Sequence, residues 1–352
     1  MTIDFLDVQG AAASDIDWPD VYFSPGYGAA VETSDGGRWE VAVGAAGRIL
    51  SPYLLRPVPA SLTGGEELWD AVSPYGYAGT YVAPSVIDED LRRFRADLRS
   101  AQAARGVVAE FQRLGSLVPG AEALLRCDAD ADGQRHNDTV EVDLSDGYDA
   151  FWTGAKGRHR TSVRKARRSG LRWEECPASS TELLEGGAFR NLYDSTMERV
   201  QAKPYYFFED AYYERLLDAL GDDLRLARVF DQDGQTSAAA LFMRWGERLH
   251  YHLAGSRPDA ARAGANNLLI DSMIGWATEA GLRRLHLGGG LTADDALFRF
   301  KTQFGGERLP FHLLRTVLDP QRVATLTERR ALETDRSPDD LRRSGFFPPY
   351  RA

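Results

Sequence analysis

Leu224-Arg225-Leu226-Ala227-Arg228-Val229-Phe230, Asp231-Gln232-Asp233-Gly234 and Thr236 to Arg244 read as strand, turn and strand, and a third strand follows from Glu247 to Gly255. Aliphatic, β-branched and aromatic residues fill the strands, and turn formers fill the break. Gly264-Ala265-Asn266-Asn267 then opens a helix to Ala280, Gly281 closes it, and Leu282 to Leu287 returns as a strand. The first half has the same grammar. Trp39 to Val43 and Arg48 onward are strands around Gly44 to Gly47. Ile87 to Arg105 is a helix, with Leu91, Phe94, Leu98 and Ala101 near helical spacing, and Val107 to Phe111 follows the stop at Gly106 as a strand. Pro52, Pro57 and Pro59 are expected to end the earlier strand, because proline cannot donate to a central ladder. The halves match in pattern and not in residue identity, which predicts an α+β (mixed α/β) fold built on a duplicated unit.

Working outward, Thr139 to Leu144 reads as a strand, Leu183 to Val200 and Glu209 to Leu220 as helices, and Asp294 to Phe304 as a short helix. Arg308 to Leu318 is a strand, Pro320 to Glu333 a helix, and the Pro- and Phe-rich tail from Ser344 to Ala352 is expected to dock on the body.

The chain has 352 residues, enough for two domains with cores of their own. Hydrophobic content of 43% and charged content of 27% exclude wholesale disorder. Cys127 and Cys176 are too few for a disulfide framework or a four-cysteine zinc site. No apolar run is long enough to span a bilayer. The start, Met1-Thr2-Ile3-Asp4-Phe5, lacks the basic-then-apolar pattern of a signal peptide. A soluble, cytoplasmic protein with no membrane partner is expected. A net charge of −10 argues against blanket affinity for nucleic acid and leaves local patches open. Only Lys156, Lys165, Lys203 and Lys301 are lysines, so each is a weak pointer to a need for an amine.

One segment departs from that acidic balance. Between Ala150 and Trp173 there is no acidic residue, while Lys156, Arg158, Arg160, Arg164, Lys165, Arg167, Arg168 and Arg172 supply eight positive charges. Lys156, Arg160, Arg164 and Arg168 recur at i+4, where like charges repel by ~0.2–0.5 kcal/mol per pair. A polyphosphate relieves that repulsion, and arginine forks suit phosphate oxygens. Phe151, Trp152 and Trp173 flank the run and either anchor the helix or stack a base. The plainer alternative is a solvated face neutralised by acidic neighbours.

His250, His252 and His286 lie on neighbouring strand patterns, where three imidazoles could converge on zinc. Half-buried strand histidines with ordinary hydrogen bonds are the simpler reading, and no metal is assigned. Leu287-Gly288-Gly289-Gly290-Leu291 follows a strand and lets a ligand approach the backbone, or aims donors at an oxyanion. Phe298-Arg299-Phe300-Lys301-Thr302-Gln303-Phe304-Gly305-Gly306 sets a scarce lysine among three aromatics, where a partly desolvated ammonium can neutralise an oxyanion or hold a phosphate. With no nucleophile elbow or paired Cys/His motif, direct attack by an acceptor is expected.

The ordered set resembles the Fem-type aminoacyl transferases, twin-domain relatives of the GNAT acyltransferases. It consists of the basic helix from Gly157 to Gly170, Tyr251-His252-Leu253-Ala254-Gly255-Ser256, the Gly264-to-Gly281 helix, His286-Leu287-Gly288-Gly289, and Phe300-Lys301-x-x-Phe304-Gly305-Gly306. The resemblance covers roughly residues 148–315, and Ser73 to Gly79 looks like the aromatic substrate loop of the first domain. It implies two GNAT-like domains, 1–147 and 148–316, with 317–352 packing back on the first. It also implies aminoacyl-tRNA as donor co-substrate, no other cofactor, and transfer to an amine on a small molecule or peptide to form an amide bond. Lys301 with Phe300 matches the Phe-Lys pair tied to the tRNA acceptor end and the transition state, and Arg164 and its neighbours fall on the family's basic segment. The first half has no lysine to grip a nucleotide-sugar pyrophosphate, which turns the expectation towards a smaller acceptor, such as an antibiotic precursor, over a peptidoglycan precursor.

On this reading Lys156, Arg158, Arg160, Arg164, Lys165, Arg167 and Arg168 hold tRNA phosphates. Tyr75, Tyr77, Tyr205, Tyr206, Gly288, Gly289 and Phe304 line the substrates, and Lys301, Phe300 and His252 serve the chemistry. The general base stays open between His252 and the departing ribose hydroxyl. An acyl-CoA N-acyltransferase is the main alternative. Its pyrophosphate loop should read Arg/Gln-x-x-Gly-x-Gly/Ala, whereas Ala261 holds the first position here and Arg262 comes one place late. A non-catalytic anion- or RNA-binding scaffold is the third reading.

Overall fold

The computed structural model describes residues 2–128, 131–290, 292 and 294–352, and the readings placed on Met1 and Leu291 lie outside them. The chain forms two compact units, Met1–His136 with Phe311–Ala352, and Asn137–Pro310. Both boundaries fall inside strands, Asp132–Asp143 and Glu307–Val317, where the sequence divides the chain at 147/148 and 316/317. Asn137, Asp138 and Pro310 stand at these boundaries, but each lies within a continuous strand and marks no turn.

The first unit contains β1 (Asp4–Asp7), β2 (Arg38–Gly44), β3 (Ile49–Pro57), β4 (Trp69–Val72), β5 (Tyr81–Val82) and β6 (Val107–Gly115). β1, β2, β3 and β4 pair antiparallel in sequence, β4 pairs parallel with β6, and residues 311–317 pair antiparallel with β6. Pro52 sits inside β3 and does not end it. On its second edge β3 pairs with β5 at Ile49 and Leu50 and with β4 from Leu54 to Pro57. The interruption at 51–53 accommodates a residue with no N–H.

A parallel pair needs a crossover, here the helix Asp88–Ala104. Asp88, Glu89 and Asp90 complement the dipole of its first turn, and Leu91, Phe94 and Leu98 bury its inner stripe. Arg95 shares that stripe, fully buried, 2.6 Å from Glu110 and 2.7 Å from Asp128. The tail docks as expected: Tyr350 is buried, and Arg351 Nε lies 2.7 Å from Asp70, which also binds Arg56 at 2.7 Å.

The second unit contains β7 (residues 137–143 of Asp132–Asp143), β8 (Arg172–Pro177), β9 (Leu224–Phe230), β10 (Thr236–Trp245), β11 (Arg248–Ser256) and β12 (Arg284–Gly289). β8, β9, β10 and β11 pair antiparallel in sequence, β11 pairs parallel with β12, and β12 pairs antiparallel with β7. The pairing order of the first unit is repeated, so the duplication is real at the level of topology. The crossover here is the helix Ala265–Glu279, buried almost all round, with Leu268, Leu269, Ile270, Met273 and Ile274 in the core beside Leu285 and Leu287. The expected helix Leu183 to Val200 is two helices, Ser180–Leu183 and Ala188–Arg199. The break is at Gly186, whose φ of +84° favours glycine, and Gly187, whose Cβ would meet the Glu182 carbonyl at 2.3 Å.

Candidate functional site

The parallel ladder between β11 and β12 is short. It pairs Arg248, Leu249 and His250 with Arg284, Leu285 and His286, and then stops. β11 shifts register against β10 at Leu241/Phe242, opposite His252, and β12 shifts against β7 between His286 and Gly288. Both strands are irregular where their pairing ends.

Lys301 enters that position from the helix Ala296–Lys301. Its Nζ donates to the Gly289 carbonyl of β12 at 2.7 Å and lies 5.8 Å from the centre of the Tyr251 ring of β11. Asp295 sets the helix in place by accepting from the N–H groups of Phe298 at 2.7 Å and Thr292 at 3.0 Å. Gly290 must be glycine beside it, since a Cβ there would stand 2.4 Å from the Asp295 carboxylate. Burial drives the Lys301 ammonium down from 10.5 to about 7, with Asp295 opposing.

The three histidines do not converge. His250 and His286 are fully buried with ring centres 5.6 Å apart, while His252 Nε2 lies 2.7 Å from the Tyr212 hydroxyl. Among the described residues no group of three His, Cys, Asp or Glu could hold a metal. Burial, with His250 beside it, holds His252 down to about 3. His286 is held well below its ordinary value by burial first, then by His250, Lys301 and Arg248.

The basic run forms the helix Gly157–Arg168, with His159, Val163 and Ala166 buried at i, i+4 and i+7. His159 binds the helix Ala265–Glu279 through Asp271 and Asn267, both at 3.1 Å. Asp271, fully buried, also accepts from Tyr148 at 3.0 Å and Arg167 at 3.2 Å, and burial and Asp271 together push the Tyr148 hydroxyl up to about 12. Lys156, Arg158, Arg164, Lys165 and Arg168 are exposed, and among the described residues none has a carboxylate partner. Arg164 lies over the Trp152 ring at 5.7 Å, and Lys165 donates to the Arg262 carbonyl at 2.8 Å. Arg160 is half-buried, and its Nη1 donates to the carbonyls of Trp152, Thr153 and Ala155 at the end of the preceding helix, which it caps.

The Phe-Lys motif underlies the start of the basic helix. The Gln303 carbonyl accepts from Lys156 N–H at 3.0 Å, and a Cβ on Gly305 would stand 3.0 Å from the Gly154 carbonyl. Phe304 is a core residue, its ring 4.5 Å from that of His159, and Phe300 packs on it at 5.4 Å. Gly288, at φ +73°, precedes the Gly289 carbonyl that holds Lys301. Tyr205 and Tyr206 lie in the turn Pro204–Tyr206, anchored by the Tyr193 hydroxyl on the Tyr206 carbonyl at 2.8 Å. Tyr75 and Tyr77 belong to the first unit. The Tyr75 carbonyl takes the Tyr27 hydroxyl at 2.9 Å, and Tyr77 packs on Tyr22 and Phe311. The sequence reading missed Tyr212, Asp271 and Asn267, which sit in helical runs that read as ordinary amphipathic faces.

Residues 156–302 match a family model described as the acetyltransferase (GNAT) domain. FemX is similar over 91% of this chain and 98% of its own, at 15% identity and a TM-score of 0.65. The C-terminal domain of a putative lysylphosphatidylglycerol synthetase from Agrobacterium fabrum covers 93% and 96%, at 19% identity and a TM-score of 0.57. A tandem GNAT protein from the clavulanic acid biosynthesis pathway covers 91% and 99%, at 11% identity and a TM-score of 0.50. No curated protein matches the chain. The fold is the Fem-like twin GNAT fold.

Proposed function

We propose that the protein is an aminoacyltransferase that moves an aminoacyl group from charged tRNA to an amine, forming an amide bond. The observation that carries this reading is the exposed row of Lys156, Arg158, Arg164, Lys165 and Arg168, without carboxylate partners among the described residues, on a helix bolted by His159 to the unit that holds Lys301. A basic surface of this density is the footprint of a phosphate backbone, and the remainder of a −10 chain confines RNA to it. The resemblance to Fem-type enzymes supports the same donor.

A second feature bears on the donor. An acyl-CoA enzyme of this fold would lay its pyrophosphate on the backbone ahead of the helix Ala265–Glu279. The basic helix packs close there: a Cβ on Gly264 would stand 2.6 Å from the Ser162 carbonyl, and His159 bonds the Asn267 side chain in the first turn. The family model's description favours the acyl-CoA alternative, so the two donors need a direct comparison.

In the transfer, the acceptor amine attacks the ester carbonyl of the aminoacyl end. The charge that develops on the carbonyl oxygen needs fixed donors, each worth ~3 kcal/mol. Lys301, held between the two strand ends, is the cation available there. Titrating the full chain with uncharged tRNA and with acetyl-CoA tests the reading: salt-sensitive tRNA binding without acetyl-CoA binding is expected, and the reverse ranking overturns it.

A further inference from the structure

Phe151, Trp152 and Trp173 flank the basic run, and the fold sorts them. Phe151 is a buried core residue. Trp152 is stacked on Tyr148 at an interplanar angle of 23° and covered by Arg164 at 5.7 Å. Trp173 alone among the seven tryptophans, all of them described residues, is exposed, with 39% of its surface accessible. Among the described residues no ring, cation or hydrogen-bond acceptor engages its indole. Tryptophan is highly buried on average, so packing does not account for this one.

Its place in the fold decides what it can meet. Trp173 lies on β8, the edge strand of the second unit, opposite Val229 of β9. Opposed residues of an antiparallel pair share a face, and Val229 sits in one core cluster with Val163 and Ala166 of the basic helix. The indole is therefore on the face of the sheet that carries that helix. Arg168 closes the helix and Arg172 precedes the indole, both exposed and without a carboxylate partner among the described residues. Glu174 and Glu175, which follow it, are taken up by Arg228 and Arg225. A flat π-surface thus stands beside free guanidinium groups, and the acids next to it in sequence are already neutralised.

We propose that Trp173 is a stacking platform for an unpaired base of the bound RNA, an assignment that rests on the tRNA reading above. Phosphates follow the exposed row of the basic helix, and the strand meets the indole where that row ends, beyond Arg168. Every base has a π-face, so such a platform is indifferent to sequence. It is also remote from the chemistry. β8 stands three strands from β11, about 14 Å across the sheet. The base on Trp173 is therefore not that of the nucleotide carrying the ester, and it fixes the RNA upstream of that end. An anionic lipid surface would call for an apolar face of several residues. Trp173 is the only large hydrophobic exposed on this helix and strand among the described residues.

The full chain and uncharged tRNA, titrated over a range of salt, provide the test. Trp173→Thr keeps a strand former at the edge and removes the ring. It is expected to bind tRNA about 5–150-fold more weakly, the worth of one stacked base. The slope of log K against log salt is expected to stay the same, because no phosphate contact is lost. Trp173→Phe keeps a ring and is expected to recover most of the affinity. On a blunt RNA duplex, which has no unpaired base, wild type and both variants are expected to bind alike. In protein labelled with 5-fluorotryptophan, Trp173→Phe identifies one fluorine resonance, and tRNA is expected to shift it. Full tRNA affinity in Trp173→Thr, with that resonance unmoved, overturns the proposal and leaves the tRNA reading standing. An equal loss on the blunt duplex overturns it in favour of a contact with the sugar–phosphate backbone. Loss of binding to phosphatidylglycerol vesicles, with tRNA affinity intact, overturns it in favour of a lipid surface. A wild type without salt-sensitive tRNA binding defeats the tRNA reading and the proposal together.

Discussion

His159 Nε2 lies 3.1 Å from Asp271 Oδ1, with both side chains fully buried. The contact joins the basic helix to the crossover helix of the second unit, and Tyr148 and Arg167 converge on the same carboxylate. Asp271→Ala leaves a buried imidazole and a hydroxyl without their acceptor, a loss of about 3 kcal/mol. Asp271→Asn, which keeps one acceptor oxygen, costs less. Urea unfolding followed by tryptophan fluorescence measures both, and an unshifted midpoint in Asp271→Ala contradicts this role.

The exposed charges on the helix act through phosphate and not through folding. Replacing Lys156, Arg158, Arg164 and Arg168 together with glutamine should leave the melting temperature within a few degrees and reduce the slope of log K against log salt for tRNA by about 3. An unchanged slope means that the row is only a solvated face. Arg160→Gln behaves differently, because its guanidinium caps the helix Gly147–Gly154: stability falls while the slope stays the same.

Gly264 is the seat of the basic helix. It has a φ of +97°, and a Cβ would stand 2.6 Å from the Ser162 carbonyl. Gly264→Ala combines strained backbone with a clash against backbone, costing about 1–3 kcal/mol. Thermal unfolding gives the stability, and filter binding gives the accompanying loss of tRNA affinity. A variant as stable as wild type removes Gly264 as the seat.

Stability should depend on pH through the buried bases of the second unit. Lys301 is at about 7 in the fold and near 10.5 in the unfolded chain, so between these values the unfolded chain binds more protons and stability rises with pH. Below 7 both states are protonated and the full penalty remains. Lys301→Met should therefore raise stability most at pH 6–7 and abolish the rise. His252, at about 3, and His286 stay neutral in the fold where the unfolded imidazoles begin to charge, so stability falls as pH drops below about 6.5. Urea midpoints at pH 5, 7 and 9 read both limbs, and a flat profile in the wild type contradicts them.

The strands and crossover helices were legible because apolar periodicity and glycine stops mark them, as at Leu224–Phe230 and at Gly281. The turn-borne signal Ser24-Pro25 was equally available for the helix Pro25–Asp35, where Ser24 caps Tyr27 N–H at 3.2 Å, and went unread. Lys301 was singled out because lysine is scarce and because it stands among three aromatics. Asp271 and Arg95 were not, since a charged residue on a buried helical stripe looks like a register error until its partners, distant in sequence, are known. The capping role of Arg160 was hidden for a related reason: charge spacing along a helix does not reveal which guanidinium turns back to cap carbonyls.

The identity of the donor is the central claim, and one assay addresses it directly. Purified protein is incubated with tRNA charged with single radiolabelled amino acids, or with labelled acetyl-CoA, together with a panel of primary amines, with and without ribonuclease. Labelled amide from charged tRNA, abolished by ribonuclease, is the predicted result. Amide formed only from acetyl-CoA and indifferent to ribonuclease would contradict the account.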